Sequence, residues 1–377
     1  NLSLRMTSLP SKPTPGPCAA SQSALSDPTG TLSSVMKAVS KATEIALDTE
    51  ADSMHAYPEK VCLIQIRIGK QSWLLDPLSD HDLGPLMKAL SRKTLLFHAA
   101  DYDLRLLFRR YGLKPCRIFD TMWASRMVGH ERFGLEYMVR HYFDIQLEKG
   151  PQTANWGLRP LTTEMERYAF NDVLHLMPLA KLLRERLEAL GRLSWVEQIC
   201  ERLIDQACEP EPDVSDTQWR LKGSHRLGRR ALAFLRAIWH WREVEAVRSN
   251  RPPFFILAHD TLVRMAESAA NDLPWREMIP RRMAMRRRKL LEQTIKEAKS
   301  LSPKAFPERL KAKRFRASDA EKARADQLKE VRDKAAEKLG LDPSLIASRA
   351  MLTRLGLEQG SAWKELMPWQ RELQDPR

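Results

Sequence analysis

The chain of 377 residues contains no CxxC pair, no GxxxxGK[ST] loop and no apolar run approaching the roughly 18 residues of a spanning helix. Its five cysteines, Cys18, Cys62, Cys116, Cys200 and Cys208, are scattered and odd in number, which argues against a disulfide framework and fits a reducing cytoplasm. Without the phosphate loop there is no sign of an appended P-loop motor. The first 30 residues are rich in Pro, Ser and Thr and lack the apolar core of a signal peptide, so they read as a flexible leader. The chain opens on Asn1, with Met6 as a candidate start. These absences together predict a soluble protein.

Negative charge is scarce in one half. Residues 222–377 hold 35 Lys and Arg against 20 Asp and Glu, whereas residues 1–221 are nearly balanced, so the whole net charge of +14 belongs to the C-terminal part. A polyanion is the natural partner for such a part, and nucleic acid the best candidate. Organisation follows the same division. Strand-like runs at 45–50, 61–68, 72–75 and 95–98 precede helical periodicity, which suggests a mixed sheet flanked by helices in the α/β class. Gly112 and Gly129 read as helix C-caps and Asp120 as an N-cap. The acidic, Pro-containing "EPEPDVSD" marks a linker, and everything beyond it reads as helices. The predicted boundaries are a leader over 1–30, an α/β domain with a trailing helix over 31–208, a linker over 209–222, and helical domains over 223–290 and 291–377. All the candidate acids described next precede the linker, which predicts that the α/β domain is a separable unit.

The strand "IALDTEAD" puts Asp48 and Glu50 on one face, roughly 7 Å apart at the strand repeat. A half-wet strand would explain them equally well. Further on, "TTEMERYAFNDVLHLMPLAKLL" reads as one helix opened by Thr163 and Glu166 in capping-box spacing. Its apolar stripe through Met165, Tyr168, Ala169, Leu176 and Leu179 is interrupted by Asp172. A carboxylate on a buried stripe is costly unless it is hydrogen-bonded or binds a cation. Asp101 and Asp103 sit where a strand runs into a helix, and either would serve as an N-cap. Hard oxygen donors without a Cys or His cluster suit Mg²⁺ or Mn²⁺ better than zinc.

The segments "ALDTEAD", "FHAADYDLRLL" and "YAFND" resemble the three exonuclease motifs of the DEDD superfamily, in the order and spacing of the ribonuclease D family, over about residues 40–190. The resemblance implies a ribonuclease H-like sheet and two Mg²⁺ or Mn²⁺ ions held by Asp48, Glu50, Asp103 and Asp172. It selects Asp103 over Asp101 because the family's acid stands five residues after the His of "HAADYD", His98. It also implies a water-orienting Tyr168, in the Tyr-type branch, since Arg167 stands where the other branch needs His. Lys149, Gln152, Trp156 and Arg159, in the approach to the third motif, are candidates for touching the substrate strand together with His98, although Trp156 serves equally well as packing. The tail resembles two copies of the helicase and ribonuclease D C-terminal (HRDC) domain, the second lacking the aromatic pair Trp239 and Trp241. Arg286, Arg287 and Arg288 between them read as phosphate contacts.

The expectation is therefore a monomeric, cytoplasmic 3′-5′ exoribonuclease that trims structured RNAs such as tRNA precursors and touches no membrane. A DNA 3′-5′ exonuclease and a non-catalytic RNA-binding adaptor are the alternatives. A complete set of four acids and a tyrosine argues against the adaptor.

Overall fold

The computed structural model describes residues 21–23, 28–148, 150–210, 216–310, 318–357 and 361–374. Six strands form one mixed sheet: β1 (Ser21–Ser23), β2 (Glu44–Ala51), β3 (Val61–Ile68), β4 (Gln71–Leu75), β5 (Thr94–Phe97) and β6 (Arg117–Asp120), in the order β1-β4-β3-β2-β5-β6. The meander β2-β3-β4 is antiparallel, while β1 on β4, β5 on β2 and β6 on β5 pair in parallel. Helices cover both faces, which is why β3 reads VCLIQIRI, with seven of its eight residues buried, instead of alternating.

Eight helices accompany the sheet: α1 (Pro28–Lys41), α2 (Gly84–Leu90), α3 (Asp101–Tyr111), α4 (Thr121–Val128), α5 (Leu135–Phe143), α6 (Thr163–Leu174), α7 (Leu176–Ala189) and α8 (Leu193–Ala207). Gly112 and Gly129 close α3 and α4 in the left-handed conformation, as a C-cap requires. Several expectations need correction. Ser21–Ser23 pairs with the sheet and α1 begins at Pro28, so residues 1–30 are not wholly a leader. The single helix expected over Thr163–Leu183 is two, broken at His175, and its cap is Thr162, whose hydroxyl accepts from the Met165 N–H at 3.2 Å.

The first helical unit contains α9 (Arg229–Ser249), α10 (Pro253–Ile256), α11 (His259–Ala270) and α12 (Met285–Lys299). Trp219 lies in its core at 1% exposure and Leu291 and Ile295 pack there too, so the expected boundaries at 222/223 and 290/291 both cut through one core. Residues 211–215 of the expected linker lie outside the described residues.

The second unit, α13 (Asp319–Leu339), α14 (Pro343–Ile346), α15 (Arg349–Leu357), α16 (Ser361–Glu365) and α17 (Pro368–Gln374), repeats the first. Its first two helices and the start of the third recur at a constant offset of 90 residues. A buried arginine recurs with them. Arg242 bonds its neighbour Glu243 and the Leu257 carbonyl, and Arg332 bonds its neighbour Asp333 and the Ala347 carbonyl.

Both units dock on the sheet domain through the C-terminal part of their first helix, and the second also through α14 and α17. In the first, Tyr57 donates its N–H to Asn250 Oδ1 (3.2 Å) and its hydroxyl to Glu243 Oε2 (2.6 Å). In the second, the Arg192 guanidinium bridges the Met127 carbonyl (2.9 Å) and the Leu339 carbonyl (2.6 Å), and Trp195 stacks on Trp369 at 4.8 Å. Gly129 has no Cβ because one would lie 2.8 Å from the Gly340 carbonyl oxygen. Ala336, Leu341, Leu345, Ile346, Met367 and Trp369 share one apolar core with the sheet domain. The catalytic unit is therefore not separable as its sequence suggested, because cutting at the linker would expose that core to water.

Candidate active site

β2 delivers Asp48 and Glu50 to the same face, and α6, crossing that face, brings Asp172 to them. One carboxylate oxygen from each of these three residues lies within 4.8 Å of the others. The fourth acid arrives from α3. Asp103 is buried at 6% exposure, and its Oδ1 accepts the Thr49 hydroxyl at 2.5 Å. Asp101, two residues earlier, is exposed and paired with Arg105 at 2.9 Å. Neither acid caps α3; Ala100 is its N-cap residue.

These four acids and Tyr168 line one open cleft of about 950 Å³, and among the described residues no lysine or arginine lines it. The electrostatics follow from that. Burial, with the neighbouring acids adding repulsion, pushes Glu50 to about 9 and raises Asp48 well above the usual carboxylate range. Burial also lifts Asp103 to about 7, against the hydrogen bond from Thr49, and Asp172 to about 7, against one from Tyr168. Crowded carboxylates at the bottom of a cleft, without a cationic side chain lining it, make a donor set that fits a hard divalent cation.

Each carboxyl thus holds its proton more tightly folded than unfolded. Raising the pH from about 4, the ordinary carboxylate value, strips the unfolded chain first, so the metal-free fold loses stability as the pH climbs through 7 towards 9. Glu50→Gln removes one such group. In EDTA its Tm is expected to gain on that of wild type between pH 5 and pH 9, and with excess Mg²⁺ the gain should shrink or reverse. A Tm difference that stays flat with pH in EDTA would contradict the mutual repulsion.

Tyr168 stands one turn before Asp172 on α6 and lines the same cleft as Asp172 and Gln152. Burial and the Asp172 charge raise its pKa above the usual phenol value, so it remains a protonated phenol at neutral pH. Gly150 presses on the same ring, and a Cβ there would overlap it. His98 lines the cleft, bonded through Nδ1 to Thr121 Oγ1 at 2.9 Å, and burial lowers its pKa.

The other expected substrate contacts fare differently. Gln152 lines the cleft; Lys149 lies outside the described residues. Trp156 is fully buried against α6 and stands 6.1 Å from the Tyr168 ring, so its packing alternative describes it. Arg159 is spent on structure: its guanidinium bonds both Asp76 oxygens and the Cys62, Trp156 and Leu158 carbonyls. Arg286 and Arg287 pair with Glu245, a carboxylate with 3% of its side chain exposed, and Arg288 is half-buried. Arg281, Arg282 and Lys289, in the same run, are exposed. Sequence reasoning passes over Thr49 and Gly150. A polar residue at an inward strand position, and a glycine in the loop leading to the tyrosine helix, are the signals that point to them.

The family model described as 3′-5′ exonuclease matches residues 25–188, and the model described as HRDC domain matches residues 231–273. The ribonuclease D of Gluconacetobacter diazotrophicus is 31% identical over 354 residues, covering 90% of this chain and 88% of that protein. The ribonuclease D of Zymomonas mobilis is 34% identical over 243 residues, covering 63% of this chain and 61% of that one. Among solved structures, Escherichia coli RNase D, described as an exoribonuclease involved in structured RNA processing, shares the fold. It has a TM-score of 0.71 at 24% identity and covers 93% of this chain and 92% of that one.

Proposed function

We propose that this chain, which belongs to the ribonuclease D family, trims structured RNAs such as tRNA precursors from the 3′ end and releases nucleoside 5′-monophosphates. The observation that carries the reading is the convergence of Asp48, Glu50 and Asp172, with Asp103 beside them, in a cleft that no cationic side chain lines among the described residues. In this proposal Asp48, Glu50, Asp103 and Asp172 would hold two Mg²⁺ or Mn²⁺ ions, the first through Asp48, Glu50 and Asp172. Bound there, such ions would supply positive charge to the phosphodiester and lower the pKa of a water.

The chain's own groups do the rest. Tyr168, protonated and one turn from Asp172, orients the attacking water by hydrogen bond and does not act as a base. Thr49 keeps Asp103 aimed at the cleft. His98 and Gln152 face the 3′-terminal nucleotide. The second helical unit is proposed as a second HRDC copy, supported by the recurrence of the buried arginine. No described helix is long and apolar enough to cross a membrane, and Cys62, Cys116, Cys200 and Cys208 are unpaired. Action in the cytoplasm, where thiols stay reduced, is proposed from those free thiols.

The test is the purified chain with Mg²⁺ or Mn²⁺ on 3′-tailed tRNA, single-stranded RNA and single-stranded DNA. Nucleoside 5′-monophosphates released from RNA and suppressed by EDTA are expected. Preference for DNA would make it a DNA exonuclease, and binding without hydrolysis an adaptor.

The basic half provides a separate measurement. Arg281, Arg282 and Lys289 are the exposed charges of the run outside the Glu245 pairing that holds Arg286 and Arg287, so changing all three to Gln should flatten log K against log[salt] for tailed tRNA, by about 0.7 for each single-strand phosphate no longer neutralised. Replacing Arg286 and Arg287 instead strands the buried Glu245 carboxylate, at about 3 to 5 kcal/mol, and should lower the Tm. An unchanged salt slope in the triple variant would leave this face without a role in gripping phosphate.

A further inference from the structure

Asp103 reaches the cleft only because α3 begins where it does, and α3 begins without a side-chain cap of its own. The turn that launches it, from Phe97 at the end of β5 to Asp101, passes through Ala99 at φ 70°, a left-handed conformation that an alanine rarely adopts. Nothing in the side chain of Ala99 favours that geometry. What faces the turn is the carboxylate of Asp120, the last residue of the neighbouring strand β6, which is fully buried. Its Oδ1 accepts from the Ala99 N–H at 3.1 Å and its Oδ2 from the Ala100 N–H at 2.8 Å. The same Oδ1 accepts from the Met122 and Trp123 N–H groups, at 2.8 and 3.2 Å, at the start of α4. One carboxylate therefore serves the N-terminal ends of two helices at once. The cap of α4 alone would use half of these bonds, and a serine or asparagine would supply it as well.

We infer that Asp120 is a positioning residue for the exonuclease reaction: by tying the Ala99 and Ala100 N–H groups to the start of α4, it holds the strained turn that sets where Asp103 stands. The inference rests on the reading of Asp103 as part of the catalytic set. The Thr49 hydroxyl fixes the Asp103 carboxylate from the β2 side, and Asp120 fixes its helix from the β6 side, so the acid is located from both neighbouring strands. Asp120 acts here without touching substrate or ion.

Asp120→Ser separates the two jobs, since serine still caps α4 but is too short to reach the β5-α3 turn. With the full chain and a short single-stranded RNA, kcat is expected to fall about 10- to 100-fold, the cost of a misplaced reacting group, while KM changes by less than about threefold. The deciding variant adds Ala99→Gly, which makes a left-handed φ free of steric cost. It should restore at least about threefold of the lost kcat in the Asp120→Ser background without raising the Tm, because glycine also loosens the unfolded chain. A residue that merely stabilised the fold would instead give activity that follows Tm. Asp120→Asn, which keeps the shape and the cap but turns one accepting oxygen into a donor, repeats the comparison with a smaller structural change and should show the same rescue. Wild-type kcat in Asp120→Ser, or a loss that Ala99→Gly leaves untouched in both backgrounds, would overturn the inference. Failure of the underlying exonuclease reading is distinguishable, since the wild-type chain would then show no hydrolysis at all.

Discussion

Asp48→Asn and Asp172→Asn are each expected to lose about a thousandfold or more of turnover, the upper range for removing one charge-stabilising group, while melting in EDTA at or above the wild-type temperature. The two halves of this expectation have one cause. In the metal-free fold the four acids are desolvated and repel one another, so each would be more comfortable protonated. An amide is nearly the same size, carries no charge and relieves that repulsion. Ordinary core damage lowers activity and stability together; here they should part. The measurement is turnover on single-stranded RNA beside thermal unfolding with and without Mg²⁺. In EDTA the variants should match or exceed wild type, and the stabilisation that Mg²⁺ gives to wild type should be largely lost. Full activity in either variant, or undiminished wild-type activity in EDTA, would remove the metal-dependent reading of the cleft.

The same physics explains which features are legible in the chain itself. Alternation in "IALDTEAD" and the missing hydrophobe at Asp172 are local signals, and a carboxylate where the pattern demands an apolar residue remains visible in one dimension. The left-handed glycines after α3 and α4 are likewise local. β6 escapes a reading by periodicity because its four residues run straight into α4, leaving too short a stretch for a strand pattern to emerge. Arg159 and the Arg286–Arg287 pair mislead for a different reason. An arginine's residue type says that it will meet an anion, not whether the anion is a phosphate or a buried carboxylate such as Glu245. Separability fails for a third reason, because Arg192 and Trp195 meet Leu339 and Trp369 across more than a hundred residues. The repeat does carry a signal in one dimension: Arg332 with Asp333 stands 90 residues after Arg242 with Glu243, outlasting the aromatic pair.

Tyr168→Phe is expected to lower kcat by about 10- to 1000-fold, the span observed for proton-handling and hydrogen-bonding groups in active sites. The ring must stay: it packs 6.1 Å from Trp156 and leaves no room for a Cβ at Gly150. The hydroxyl alone is removed from a cleft it shares with Asp172 and Gln152. A base would leave its own pKa in the rate profile. Burial and the neighbouring acids hold the Tyr168 phenol above its ordinary range, so across pH 6 to 9 it remains protonated and the residual activity of the variant should keep the wild-type pH dependence. The half-saturating Mg²⁺ concentration should move little, since the three clustered carboxylates are untouched. A profile that loses a pH-dependent limb in Tyr168→Phe would make the tyrosine a proton acceptor. A wild-type rate would make it packing, and the water would then have to be oriented by another cleft residue, with the Gln152 amide the nearest candidate.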